Sequence, residues 1–107
     1  NLKEPDLAKI IECEKIIRSQ YSAPHSLLKL AKEVGLNDFK LKQGFKQVFG
    51  KPVFKYLQEY RLEKARDAIK NSQKSIGEIA EDIGYNSQSS FSNAFFEQFG
   101  VRPTKIR

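Results

Sequence analysis

Apolar residues recur along this chain with the period of amphipathic helices, and short polar breaks separate one run from the next. Leu7, Ile10, Ile11, Cys13 and Ile17 form the first run, opened by Pro5 in the first helical turn and continuing to about Gln20. Ser22-Ala23-Pro24 stops it, and Ser26 is suited to cap a second helix, about Leu27 to Val34, that buries Leu27, Leu30, Ala31 and Val34. A third helix, about Asp38 to Phe49, turns Leu41, Phe45, Val48 and Phe49 inward. Pro52 opens a long fourth helix to about Asn71, carrying Phe54, Leu57, Tyr60, Leu62, Ala65 and Ile69. Ser75-Ile76-Gly77-Glu78 has the form of a capping box and starts a fifth helix to about Ile83, with Ile76, Ile79, Ala80 and Ile83 inward. Asn86 or Ser87 caps a sixth that ends near Phe99, with Phe91, Phe95 and Phe99 as its buried seam and Phe96 flanking. A short closing helix follows Pro103. The pattern predicts an all-α fold of about seven helices.

Part of this pattern is written twice. Leu30-Ala31-Lys32-Glu33-Val34-Gly35-Leu36-Asn37 returns as Ile79-Ala80-Glu81-Asp82-Ile83-Gly84-Tyr85-Asn86, 49 positions later. One extra residue then enters, and Leu41, Phe45, Phe49 and Gly50 correspond to Phe91, Phe95, Phe99 and Gly100 at an offset of 50. Each copy reads as a short helix with an inward Ala, a Gly-apolar-Asn turn and a second amphipathic helix closed by Phe-Gly. That is the pattern of a helix-turn-helix, and two copies predict two homeodomain-like units. The expected division is residues 1–51 for the N-terminal helix and first unit, 52–71 for a linker helix, and 72–107 for the second unit. The linker spans roughly 30 Å, near the ~34 Å between successive major-groove faces of B-DNA. Two helical hairpins of a plain bundle would share the skeleton. Gly44, inside the third helix, costs roughly 1 kcal/mol of helix propensity relative to Ala, which points to something approaching it closely.

Charge separates the two copies. The net charge is +6 over 107 residues, which favours an anionic partner. Asn37 to Lys55 holds five lysines (Lys40, Lys42, Lys46, Lys51, Lys55) against the single acid Asp38. Ser75 to Gly100 has no Lys or Arg, while Glu78, Glu81, Asp82 and Glu97 are acidic. If both units touch DNA, the first supplies most of the phosphate attraction. The outer face of the third helix presents Phe39, Lys40, Lys42, Gln43 and Lys46. That of the sixth presents Gln88, Ser89, Ser92 and Asn93, short hydrogen-bonding groups of the kind that read base edges.

Other chemistry is sparse. No paired acids in an apolar setting, metal-ligand cluster or phosphate loop is visible, so no enzyme, no metal and no cofactor is expected. His25 lies in a loop and is expected at the surface; Cys13 shares an apolar face with Ile10 and Ile17. A lone cysteine and the lack of a membrane-length apolar run or leader fit a cytoplasmic protein. The chain has no Met, not even at position 1, as expected of a piece of a longer protein.

From about Ile16 onward the chain resembles the DNA-binding domain of the AraC/XylS transcription regulators. Ser-Leu-x-x-Leu-Ala at Ser26 to Ala31 is similar to the family's first motif. The match is fuller in Ile79-Ala-x-x-Ile-Gly-Tyr-x-Ser-x-Ser-x-Phe-Ser-x-Ala-Phe-x-x-x-Phe-Gly-x-x-Pro, ending at Pro103. Tyr56, Arg61, Leu62, Ala65 and Arg66 resemble the family's linker helix. Asn37-Asp-Phe-Lys-Leu-Lys-x-Gly-Phe-Lys-x-Val-Phe-Gly is similar to the branch containing siderophore-responsive regulators of iron uptake. The resemblance implies sequence-specific binding of double-stranded DNA by two recognition helices in adjacent major-groove segments. It aligns Phe39, Lys42, Gln43, Gln88, Ser89, Ser92 and Asn93 with base-contact positions, and it makes Lys40, Lys46 and Ser90 candidates for phosphate contacts. It also implies an effector-sensing or dimerisation domain N-terminal to these residues. The leading reading is an activator, and the acidic surface of the second unit could meet RNA polymerase or a basic partner. The position of Asn93 is commonly basic in the family, and its loss implies that the second unit binds more weakly than the first. The alternative is a helical protein-interaction module with little affinity for DNA.

Overall fold

Four polar side chains set the starts of four helices. Ser26, Asn37, Ser75 and Ser87 sit in extended backbone and accept the N–H groups of Lys29 (3.1 Å), Lys40 (2.8 Å), Glu78 (3.1 Å) and Ser90 (3.0 Å). Each satisfies a donor that the first helical turn leaves without a partner. The computed structural model describes residues 2–107, and the helices it contains are α1 (Glu4–Ser19), α2 (Leu27–Val34), α3 (Asp38–Phe49), α4 (Val53–Asn71), α5 (Ile76–Asp82) and α6 (Gln88–Phe99). The all-α architecture agrees with the sequence pattern. The expected seventh helix is a single 3₁₀ turn, Pro103–Lys105. Of the two candidate caps for α6, Ser87 is the one used. At α5 the capping box is complete, because Glu78 also accepts the Ser75 N–H at 2.9 Å.

The chain divides into two compact units, the first ending at Leu57 and the second running from Gln58 to Arg107. In the first, Ile10, Cys13, Ile17, Leu30, Ala31, Leu41, Phe45, Val53 and Leu57 are buried together. Phe45 packs edge-on against Tyr56, with ring centroids 5.4 Å apart, and lies 4.7 Å from Phe49. Glu14 is the one buried charged side chain among the described residues, 8 % exposed. It is paired with Arg18 at 2.8 Å and accepts the Tyr56 hydroxyl, which ties α1 to α4. Burial, then the nearby Glu33 and Glu14, push the Cys13 thiol up to about 12, so it is an inert core group. In the second unit, Leu62, Ala65, Ile69, Ile79, Ala80, Ile83, Phe91 and Phe95 are buried, with Pro103 beneath the chain end. Phe91, Phe95 and Phe99 form a continuous ladder at 5.6 and 4.6 Å.

Two expected core positions are on the outside. Ile11 and Phe54 are exposed. Ile10, Cys13 and Ile17 already fill the narrow inward stripe of α1, and Ile11 is a residue off it; Val53 takes the corresponding place at the start of α4. His25 is half-buried rather than at the surface, with Nε2 2.7 Å from the Gln20 carbonyl oxygen.

Gly44 has a steric explanation. A Cβ there would stand 2.7 Å from Ile10 Cδ1 and 3.1 Å from Ile10 Cγ1, and Ile10 is itself fully buried. The missing side chain therefore lets α1 lie directly against α3. Gly44→Val should overpack this contact and lower stability by about 1–3 kcal/mol. Denaturant midpoints measure the effect, and an unchanged midpoint would refute the close approach.

Candidate nucleic-acid interface

The two helix-turn-helix turns are built alike. Gly35 and Gly84 take positive φ (80° and 99°), which a side chain would oppose. The following residue's N–H then reaches back to the motif alanine, Leu36 to Ala31 at 2.9 Å and Tyr85 to Ala80 at 3.0 Å. Ala31 and Ala80 are buried at 1 % and 2 % exposure, as the repeat predicts. In the second unit Tyr85 also reaches α4, where Arg61 and Gln58 flank its hydroxyl; burial raises its pKa and these two groups oppose the rise.

On α3, Phe39, Lys42, Gln43 and Lys46 are exposed and spaced i, i+3, i+4, i+7, so they share one face. No acid lies among them. Phe39 is 65 % exposed, an unusual position for an aromatic ring that could stack or meet a thymine methyl. Lys40 stands to the side, with its ammonium 3.8 Å from Asp6 on α1. This is a weak, solvated pair.

On α6 the candidates are less alike. Gln88 and Ser89 are exposed at its start, but the Gln88 amide leans over α5, where a Cβ on Gly77 would lie 3.1 Å from its Oε1. Ser90 is partly committed: its N–H goes to the cap and its hydroxyl lies 3.0 Å from the Ser87 hydroxyl. Ser92 is half-buried and Asn93 exposed. Two of the nearby acids are engaged, Glu78 in the capping box and Asp82 with Lys74 at 2.7 Å.

The sequence pattern missed Arg102. It follows α6, yet its guanidinium stacks on Phe96, 4.7 Å from the ring centroid. It donates through Nη1 to Asn93 Oδ1 at 2.8 Å, with Ser92 Oγ at 3.4 Å. The signal was there in the Arg-Pro step, since a residue before proline is held extended and Pro103 is buried.

Comparison with known proteins agrees with this geometry. A family model described as a helix-turn-helix domain matches residues 30–107. A solved transcriptional regulator with an AraC-type DNA-binding domain, from Chromobacterium violaceum, superposes with a TM-score of 0.86 at 30 % identity, over 94 % of this chain and 89 % of that one. The chain belongs to the AraC-type helix-turn-helix family. Among curated relatives of this AraC-type domain, the regulator AlkR of Acinetobacter baylyi is 30 % identical over 106 residues, covering 99 % of this chain and 34 % of that protein. The activator RhaR of Pectobacterium carotovorum is 30 % identical over 91 residues, covering 85 % and 32 %. The AraC-type domain thus spans about a third of the length of these relatives. No helix among its described residues is long and apolar enough to cross a membrane.

Proposed function

We propose that this AraC-type domain binds double-stranded DNA with sequence specificity, as the DNA-reading part of a cytoplasmic bacterial transcription regulator. The observation that carries the reading is the face of α3, where Phe39, Lys42, Gln43 and Lys46 stand exposed together without an acid among them. Such a face supplies phosphate attraction, a bidentate amide and an apolar contact within one major-groove width. The names of AlkR and RhaR, a transcriptional regulator and a transcriptional activator, support it. In this reading residues 1–51 carry the anchoring unit, 52–71 the linker and 72–107 the second unit, whose helix enters an adjacent groove segment. Effector response, dimerisation and contact with RNA polymerase are further proposals, made for the regulator as a whole.

A gel-shift titration in salt tests the proposal. Affinity for a duplex selected from a random-sequence pool should fall steeply as salt rises, because bound lysines release counterions. Lys46→Ala should weaken all duplexes alike and reduce the logarithmic salt slope by about 1. A domain that retains no duplex at low salt would refute the reading and favour a protein-interaction module.

A further inference from the structure

We infer that Arg102, from outside the recognition helix, is the cation of the second DNA-reading surface, and that it fixes which way the Asn93 amide is turned. The inference rests on the DNA-binding reading above. Between Ser75 and Gly100 the second unit has no Lys or Arg, so α6 itself offers nothing positive to an acceptor on DNA. Arg102 fills that gap through space. Its guanidinium is held over the exposed Phe96 ring and hydrogen-bonded to Asn93 and Ser92 on the outward side of α6. Its backbone, φ −76° and ψ 153°, is fixed by the buried Pro103 that follows. The side chain is therefore placed before any ligand arrives, which lowers the ordering cost of a contact.

The chemistry of the pair narrows what it can read. Arginine has no acceptor, so the Asn93 atom facing it must be the carbonyl oxygen. The Asn93 amide then keeps both N–H donors and one remaining acceptor lone pair, on an oxygen already turned toward Arg102. Asparagine reads adenine by accepting from N6 while donating to N7. With its oxygen turned toward Arg102, Asn93 is poorly oriented to do so. The pair presents Arg and Asn donors together, which suits an acceptor-rich partner on DNA: the O6/N7 edge of guanine, or the oxygens of a backbone phosphate.

The test uses the 107-residue chain and a duplex that the unaltered domain has selected from a random pool. Arg102→Ala, and Arg102→Met, which keeps hydrocarbon on Phe96 without the charge, should each weaken binding roughly tenfold. Melting temperatures should stay at the parent value. Lys105→Ala, the loss of another exposed cation in the same unit, should have a far smaller effect. Adding Asn93→Arg to Arg102→Ala returns a cation to the same place and should recover affinity. A guanine contact shows as lost preference at one base position. A phosphate contact shows as uniform weakening with the salt slope reduced by about 1. Variants at 102 that bind like the parent, or Met binding like Arg, would overturn the inference while leaving the first unit's binding intact. A parent domain that selects no duplex would overturn the DNA-binding reading as well.

Discussion

Lys42→Ala and Gln43→Ala should each weaken binding to the selected duplex by about 1–3 kcal/mol and relax the preference at the bases they meet. Both side chains stand one turn into α3 on its exposed face, and neither has a structural task in the core. Lysine at that place supplies donors to guanine O6/N7, and glutamine can both donate to and accept from adenine. The double variant should lose less than the sum if the two share one base step, since neighbouring contacts are seldom additive. Folding should be untouched, so melting temperature serves as the control. Selecting binding sites with each variant checks the outcome. Two variants that choose the same sequences as the parent, with the same affinity, would remove α3 from the role of reader.

Phe95→Ala should carry one of the largest stability costs of any truncation in this chain. Phe95 is fully buried and forms the middle rung of the ladder from Phe91 to Phe99. Truncating such a ring loses its transfer free energy, leaves a cavity and removes two aromatic contacts, about 3–5 kcal/mol together. Domains of this size hold about 5–15 kcal/mol in all. The variant should therefore melt far below the parent, whereas Phe96→Ala, one residue on and exposed, should cost a small fraction of that. Equal effects at 95 and 96 would mean that the seam of α6 has been misplaced.

Most of the architecture was legible in the residues because the relevant signals are local. A Ser or Asn that caps a helix, a Gly that takes positive φ and an apolar stripe of period 3.6 all act within a few positions, so α2, α3 and α6 begin and end where the pattern places them. Period alone did not distinguish Ile10 from Ile11 or Val53 from Phe54. In both pairs the decision belongs to the helix packed opposite, which is a tertiary fact. Gly44 announced a close approach but not its partner; Ile10 lies 34 positions away. Arg102 shows the same limit in the candidate site. Reading α6 by itself shows a surface without a cation, because the cation arrives from a residue that the helix does not contain.

The buried thiol of Cys13 has a practical use in labelling chemistry. Burial pushes the thiol up to about 12 and leaves the side chain without solvent exposure, so almost none of it is thiolate at neutral pH, and the thiolate is the species that reacts. No other cysteine is present. A fluorophore or spin probe can therefore be attached at a cysteine introduced on the outward face of α3 or α6 without first removing the native one. Distances and mobilities at the two faces could then be followed in solution, in the otherwise unaltered chain.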